Sequence, residues 1–177
     1  MQRLKQPAQQ KHGQAPMPVA GMLSASHKPS GSIMNLNEYT GLELLQAMAR
    51  GDLPAPSITK TMPMDLQEAR EGYVRFGAQA DERHLNPMGG VHGGFAATVL
   101  DSVTGCAVHT MLEAGVGYGT VDLNVKMVKA IPRDTPLIAE GKVLHLSKSI
   151  GVSEGNIRTI DGVLLAHATA TCAILRR

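Results

Sequence analysis

Between Asn86 and Asp101 the chain reads Asn-Pro-Met-Gly-Gly-Val-His-Gly-Gly-Phe-Ala-Ala-Thr-Val-Leu-Asp, the stretch richest in residues able to do chemistry. Four glycines in six residues let a backbone turn tightly and come close to another group. The stretch feeds an apolar run, Phe95 to about Ala114, that reads as one long helix ended by Gly115. The first N–H groups of a helix have no internal partner and carry the positive end of its dipole. Gly93 and Gly94 leave such groups unshielded, so this terminus can hold an oxyanion or polarise a carbonyl. Asp101 stands inside the same helix, where a buried carboxylate is costly unless paired or used. Its small neighbours Ser102, Gly105, Cys106 and Ala107 leave room for a ligand.

Each of these residues also has a plainer reading. Asp101 can be a buried acid satisfied by a local hydrogen bond, and His92 a structural histidine that ties down its loop. Asn86 precedes Pro87 and can simply form a turn. Gly93 can serve tight packing alone, and its amide is useful only if the helix starts there. His109, His145 and His167 fall in helix or strand patterns, and no pair has metal-ligand spacing, so no metal is expected.

The elements that must hold this stretch follow from periodicity. Residues 1–37 are rich in Gln, Pro, Ser, Gly and Met without period and read as a disordered arm; residues 38–177 read as one domain. Leu42, Leu45, Met48 and Ala49 recur at helical spacing up to Gly51. Ile58–Leu66 and Tyr73–Ala80 read as strands joined at Glu71-Gly72. After the long helix come four strands: Tyr118–Val128, Leu137–Leu146, Ile150–Thr159 and Val163–Leu175, with a hairpin signal at Asp161-Gly162. One apolar helix and about six strands predict an α+β architecture, an antiparallel sheet wrapped around a long central helix. Such a sheet leaves an edge strand and an open face, which a second copy of the chain would cover.

Composition narrows the function classes. The net charge is +2, but residues 1–37 hold Arg3, Lys5, Lys11 and Lys28 and no acid, while the rest carries 13 basic against 15 acidic residues. The domain therefore lacks the basic surplus of a nucleic-acid binder, and with no Trp, two Phe and three Tyr it offers few stacking platforms. No apolar run approaches the roughly 18–20 residues of a membrane span. Cys106 and Cys172 lie in apolar surroundings outside any metal motif, and with no secretory signal a cytoplasmic location is expected.

Asn86-x-x-Gly89-x-x-His92-Gly93-Gly94, followed by Asp101, resembles the signature of hotdog-fold acyl-CoA thioesterases of the phenylacetate-degradation type. The segments Gly51-Asp52-Leu53-Pro54-Ala55-Pro56, Thr120-Val121-Asp122-Leu123-Asn124 and Ala166-His167-Ala168-Thr169-Ala170-Thr171 are similar to that family as well, so the resemblance covers about residues 40–175. It implies a hotdog fold, an acyl-CoA substrate and hydrolysis to a carboxylic acid and coenzyme A. No cofactor is implied, because coenzyme A is part of the substrate. It implies a homo-oligomer, dimer or dimer of dimers, with sites at the dimer interface. Geometry agrees with that placement: Gly93 and Asp101 lie roughly 12 Å apart along one helix, too far for both to reach one thioester carbon. Two antiparallel helices would bring Gly93 of one subunit against Asp101 of the other. The implied roles are a Gly93 amide that polarises the carbonyl, and Asp101 as general base or nucleophile. Asn86 would orient water or thioester, His92 would support the loop, and Thr120 would position the water, although Thr120 also suits a strand simply as a β-former. Some relatives carry Glu in place of the helix Asp, so the acid does not specify the acyl group.

Coenzyme A brings phosphates that need cations at the mouth of the site. Lys126, Lys129, Arg133, Lys148 and Arg158 are candidates, though each reads first as a solvated strand-edge or turn residue. Two rivals share the fold: a non-catalytic acyl-CoA-binding protein, which has no need of an acid on the helix, and a dehydratase, whose paired catalytic His and acid motifs are not found.

Overall fold

A computed structural model describes residues 35–176. Almost all of the expected arm, residues 1–34, and Arg177 lie outside that range. The last arm residues do not continue it: Leu36–Glu38 form a turn of 3-10 helix capped by the Asn35 side chain.

The first α-helix, α1 (Gly41–Arg50), begins at a capping box in which Thr40 and Glu43 satisfy each other's backbone N–H groups. It stops at Gly51, which takes the left-handed conformation at φ 79°. Strand β1 (Met64–Arg70) starts later than its apolar pattern predicts. Ser57–Lys60 instead form a 3-10 turn, because the Thr59 and Thr61 hydroxyls donate to the Pro56 and Ile58 carbonyls at 2.9 and 3.1 Å. Such local bonds compete with a ladder, and Pro63, which has no N–H, delays pairing further. Strand β2 (Tyr73–Ala78) returns antiparallel to β1 through the expected Glu71-Gly72 turn.

The central helix α2 runs Gly93–His109. It begins two residues before the expected Phe95, and it ends well before Ala114. Thr110 ends it: its hydroxyl donates to the Ala107 carbonyl at 2.6 Å and accepts the Gly72 N–H at 2.8 Å, which ties the helix terminus to the β1–β2 turn. Gly115, at φ 75°, then turns the chain into β3 (Gly117–Met127). Strands β4 (Leu137–Leu146), β5 (Ile150–Thr159) and β6 (Leu164–Leu175) complete the sheet close to their expected bounds.

The six strands form one antiparallel sheet in the order β1-β2-β4-β5-β6-β3, wrapped around α2 as the hotdog expectation requires. Val99, Leu100, Val103 and Ala107 of the helix are fully buried against Val74, Leu137, Ala139, Ile157, Ala166 and Ala168 of the sheet. Helix and sheet touch backbone to backbone at Gly141, where an added Cβ would fall on the Val103 carbonyl. That carbonyl belongs to the helix backbone and cannot rotate away. Gly141→Ala is therefore expected to destabilise the fold by about 3 kcal/mol or more, read as a lower urea midpoint at unchanged slope. A midpoint shift within error would show that the sheet can yield here.

β3 is an edge strand of 11 residues, and Val121 and Met127 on it are more than half exposed. Long, apolar edges of this kind are templates for pairing with another chain. Among the described residues no helix is long and apolar enough to cross a membrane.

Candidate active site

The loop ahead of α2 is fixed by histidines at both ends. His84 is buried; its Nδ1 accepts the Asp81 N–H at 3.1 Å and its Nε2 donates to the Thr61 carbonyl at 2.8 Å. Its ring packs edge-on to Phe95 at 5.1 Å, and its carbonyl accepts the His92 N–H at 2.8 Å. Nothing in the sequence pattern singled out His84, since its role depends on contacts with chain about twenty residues earlier.

His92 caps α2. Its Nδ1 accepts the Gly94 N–H at 2.8 Å, so the ring carries its proton on Nε2. With Gly94 satisfied, the exposed Gly93 N–H stands as the first amide of the helix and has no hydrogen-bond partner among the described residues. It opens into a cleft of about 310 Å³ lined also by Ala96, Met127 and Lys129. Asn86 does the work of a turn: its Oδ1 accepts the Met88 and Gly90 N–H groups at 2.9 and 3.2 Å. Only its Nδ2 remains uncommitted among the described residues.

Asp101 departs from expectation. It is exposed in the single chain, so the cost of burying a carboxylate does not arise there. The sheet covers one side of α2, and the side bearing Thr98, Asp101, Ser102 and Cys106 is left open or half-covered. Among the described residues the Asp101 carboxylate has no hydrogen bond and no ion pair, which removes the plainer reading of a locally satisfied acid. It faces a cleft of about 1040 Å³ whose walls include Leu45 and Met48 of α1, Pro56 and Ile58 of the following loop, and Tyr118 and Thr120 of β3. The Thr120 hydroxyl lies 3.9 Å from the Cys172 sulfur.

Asp101 and Thr120 thus share one cleft, while His92 and Gly93 line another, with Asn86 in the loop before it. Within a subunit these are two half-sites about 12 Å apart along α2. Tyr118, which stands two residues before Thr120 and so on the same strand face, was not read from the sequence as a site residue. Its period-two relation to Thr120 is the signal that could have found it.

The thiols are poor nucleophiles. Burial pushes the Cys106 thiol up to about 11 and raises Cys172 as well, with the Asp101 charge adding to both; burial likewise lifts the Tyr118 phenol well above its usual range. At pH 8 about one Cys106 in a thousand is a thiolate. Iodoacetamide at that pH is expected to leave Cys106 unmodified over a period that alkylates a free thiol fully, read by intact mass. Rapid labelling would restore Cys106 as a candidate nucleophile.

The candidate phosphate ligands separate by their partners. Arg133 pairs with Asp134 at 2.9 Å, and Arg158 donates to Asn156 and to the Gly162 carbonyl at 3.1 and 3.0 Å. Lys126 and Lys148 are exposed and line neither cleft. Lys129 alone of the five lines a cleft, the one at Gly93.

Residues 88–166 match the model of the Thioesterase superfamily, a span that takes in His92, Gly93, Asp101 and Thr120 and begins just after Asn86. A candidate esterase of Halobacterium salinarum is 33% identical over 101 residues, covering 54% of this chain and 66% of that one. Among solved structures, a candidate thioesterase of Ralstonia eutropha, described as phenylacetic acid degradation-related, superposes with a TM-score of 0.67 at 28% identity, covering 73% of this chain and 98% of that one. A hypothetical thioesterase of Streptococcus pneumoniae, solved with coenzyme A, gives a TM-score of 0.58 at 24% identity over 63% of this chain and 87% of that one, a likeness of fold.

Proposed function

We propose that the chain, whose residues 88–166 match the model of the Thioesterase superfamily, hydrolyses an acyl-CoA thioester to a carboxylic acid and coenzyme A at a site shared by two subunits. The observation that carries this reading is the Asp101 carboxylate, uncommitted and open to a large cleft with apolar side chains among its walls. A protein that only bound acyl-CoA would have no use for a free acid there.

The Gly93 N–H of one subunit would donate to the thioester carbonyl and stabilise the oxyanion as it forms. Asp101 of the partner subunit would take a proton from water as that water attacks, or attack the carbonyl itself to give an anhydride that water then opens. In either route the carbon–sulfur bond breaks and the coenzyme A sulfur leaves, taking up a proton. The Thr120 hydroxyl would hold the water beside Asp101. With its oxygen occupied by the loop, Asn86 would act through Nδ2, as a donor to the carbonyl or the water. His92 would keep the Gly93 amide aimed by capping its neighbour.

Paired antiparallel through the β3 edges, two subunits would extend the sheet and lay their helices side by side, which joins the half-sites. The Streptococcus pneumoniae protein, solved with coenzyme A, supports the same ligand here. Lys129 is the cation placed to meet a phosphate. The reaction needs no cofactor beyond the substrate's own coenzyme A. Two free thiols fit a reducing cytoplasm.

Thiol release measured over a panel of aliphatic and aryl acyl-CoAs, beside sedimentation equilibrium, tests this reading. Hydrolysis by a dimer or dimer of dimers is expected. Tight binding without turnover would move the protein to the acyl-CoA-binding alternative, and a monomer at micromolar concentration would exclude the shared site.

A further inference from the structure

The ring of Tyr118 lies across α2 one turn beyond Asp101. A Cβ added to Gly105, four residues after Asp101, would stand 2.7 Å from Tyr118 Cε2 and 3.1 Å from its hydroxyl oxygen, so only glycine admits the ring this close to the helix. The hydroxyl meets the Cys106 thiol. His109, a further turn along, packs against the same ring with centroids 5.2 Å apart. Asp101, Ser102, Cys106, Tyr118 and Thr120 line the large cleft, whereas His109 does not. Tyr118 is thus where the cleft ends along the helix. Between Asp101 and the ring the wall is made of small side chains, and across from it stand Leu45, Met48 and Ile58. An acyl chain whose carbonyl carbon sits at Asp101 and which runs toward the C-terminus of α2 meets the ring after about one helical turn, roughly 5 Å.

We propose that Tyr118 is the specificity-determining residue that sets the maximum acyl length, by closing the far end of the acyl cleft against Gly105 and Cys106. The proposal rests on the acyl-CoA reading above and adds that the ring excludes long saturated chains. A methylene that has no room in an apolar pocket changes discrimination by about tenfold or more. Replacing the ring by a shorter side chain is therefore expected to raise the long-to-short ratio of kcat/KM at least tenfold, mainly through the long substrates. Enlarging it should move the ratio the other way.

The test uses the full chain and saturated acyl-CoAs from butyryl to palmitoyl. Tyr118→Leu keeps an apolar side chain at the site should Tyr118→Ala fail to fold, Tyr118→Phe keeps the ring, and Tyr118→Trp enlarges it. Tyr118→Leu and Tyr118→Ala should extend the preferred length, Tyr118→Phe should keep the wild-type length preference, and Tyr118→Trp should shorten it. Dissociation constants for the same panel, taken by calorimetry in an Asp101→Asn background, read the same preference without turnover. A wild type that binds but does not hydrolyse would overturn the thioesterase reading and leave the length limit to be judged on those constants. Length profiles that are the same for Leu, Phe and Trp at position 118, in rate and in binding, would overturn this proposal while leaving the thioesterase reading intact.

Discussion

Asp101→Asn is expected to lower kcat about a thousandfold, close to 4 kcal/mol of transition-state stabilisation, with KM little changed. The substitution keeps shape and hydrogen-bonding capacity and removes the charge. Because the carboxylate has no partner among the described residues, no buried ion pair is broken and the thermal midpoint should stay within a few degrees of wild type. That separation of activity from stability is the useful feature of the test. If the acid were structural, loss of activity would track loss of fold; if Asp101 were a bystander, kcat would fall less than tenfold. A large fall in kcat with an unmoved midpoint is the result the geometry requires.

Two inactive variants should restore activity when mixed. Gly93 is the first residue of α2, a position where proline is tolerated because the N–H it lacks has no partner inside the helix. Gly93→Pro therefore deletes the proposed oxyanion donor with little cost to the helix. A Cβ added at Gly93 meets only the flexible end of the Met127 side chain, its methyl 3.2 Å away. Removing such a donor is expected to cost about a hundredfold in kcat. Asp101→Asn and Gly93→Pro, unfolded and refolded together, give heterodimers in which one site has both intact groups and the other has neither. Random pairing makes about half of the dimers mixed, so activity should recover to about a quarter of wild type. Recovery to that level places the two groups on different subunits. A mixture as inactive as its components would mean that Gly93 and Asp101 serve the same subunit's site or no site at all.

The elements of this fold were legible where backbone chemistry fixes them and obscure where tertiary contacts do. Gly51 and the Glu71-Gly72 turn act locally, and the end of α1 and the turn between β1 and β2 fall where the sequence puts them. β4 and β5 follow from β-branched composition and hairpin turns. The end of α2 could not be read, because Thr110, where it stops, is bonded through its hydroxyl to a turn nearly forty residues earlier in the chain. The late start of β1 depends on hydroxyl bonds that its apolar pattern hides.

At the site the same division holds. The glycine loop and Asp101 announce themselves by residue type, since few structural needs call for four glycines and an acid in an apolar helix. Which side of α2 the sheet would cover was not readable, so Asp101 looked buried when in the subunit it is open. Asn86 was read through the resemblance as a substrate contact, and the structure gives its oxygen to the loop. Tyr118 was missed because a single aromatic residue in a strand reads as packing.

The close approach of Gly141 to the Val103 carbonyl bears on how such a protein diversifies. Val103 is two residues past Asp101, so the sheet grips the helix almost directly behind the carboxylate and denies it any sliding or rolling. The opposite wall of the cleft, α1 and the loop through Pro56 and Ile58, is a separate piece of chain with side chains that can change in size one at a time. Mutation can thus explore new substrates on the wall while the reactive group keeps its coordinates, and inherited variation in a lineage of such chains should concentrate on the recognition wall and spare the clamp behind the acid.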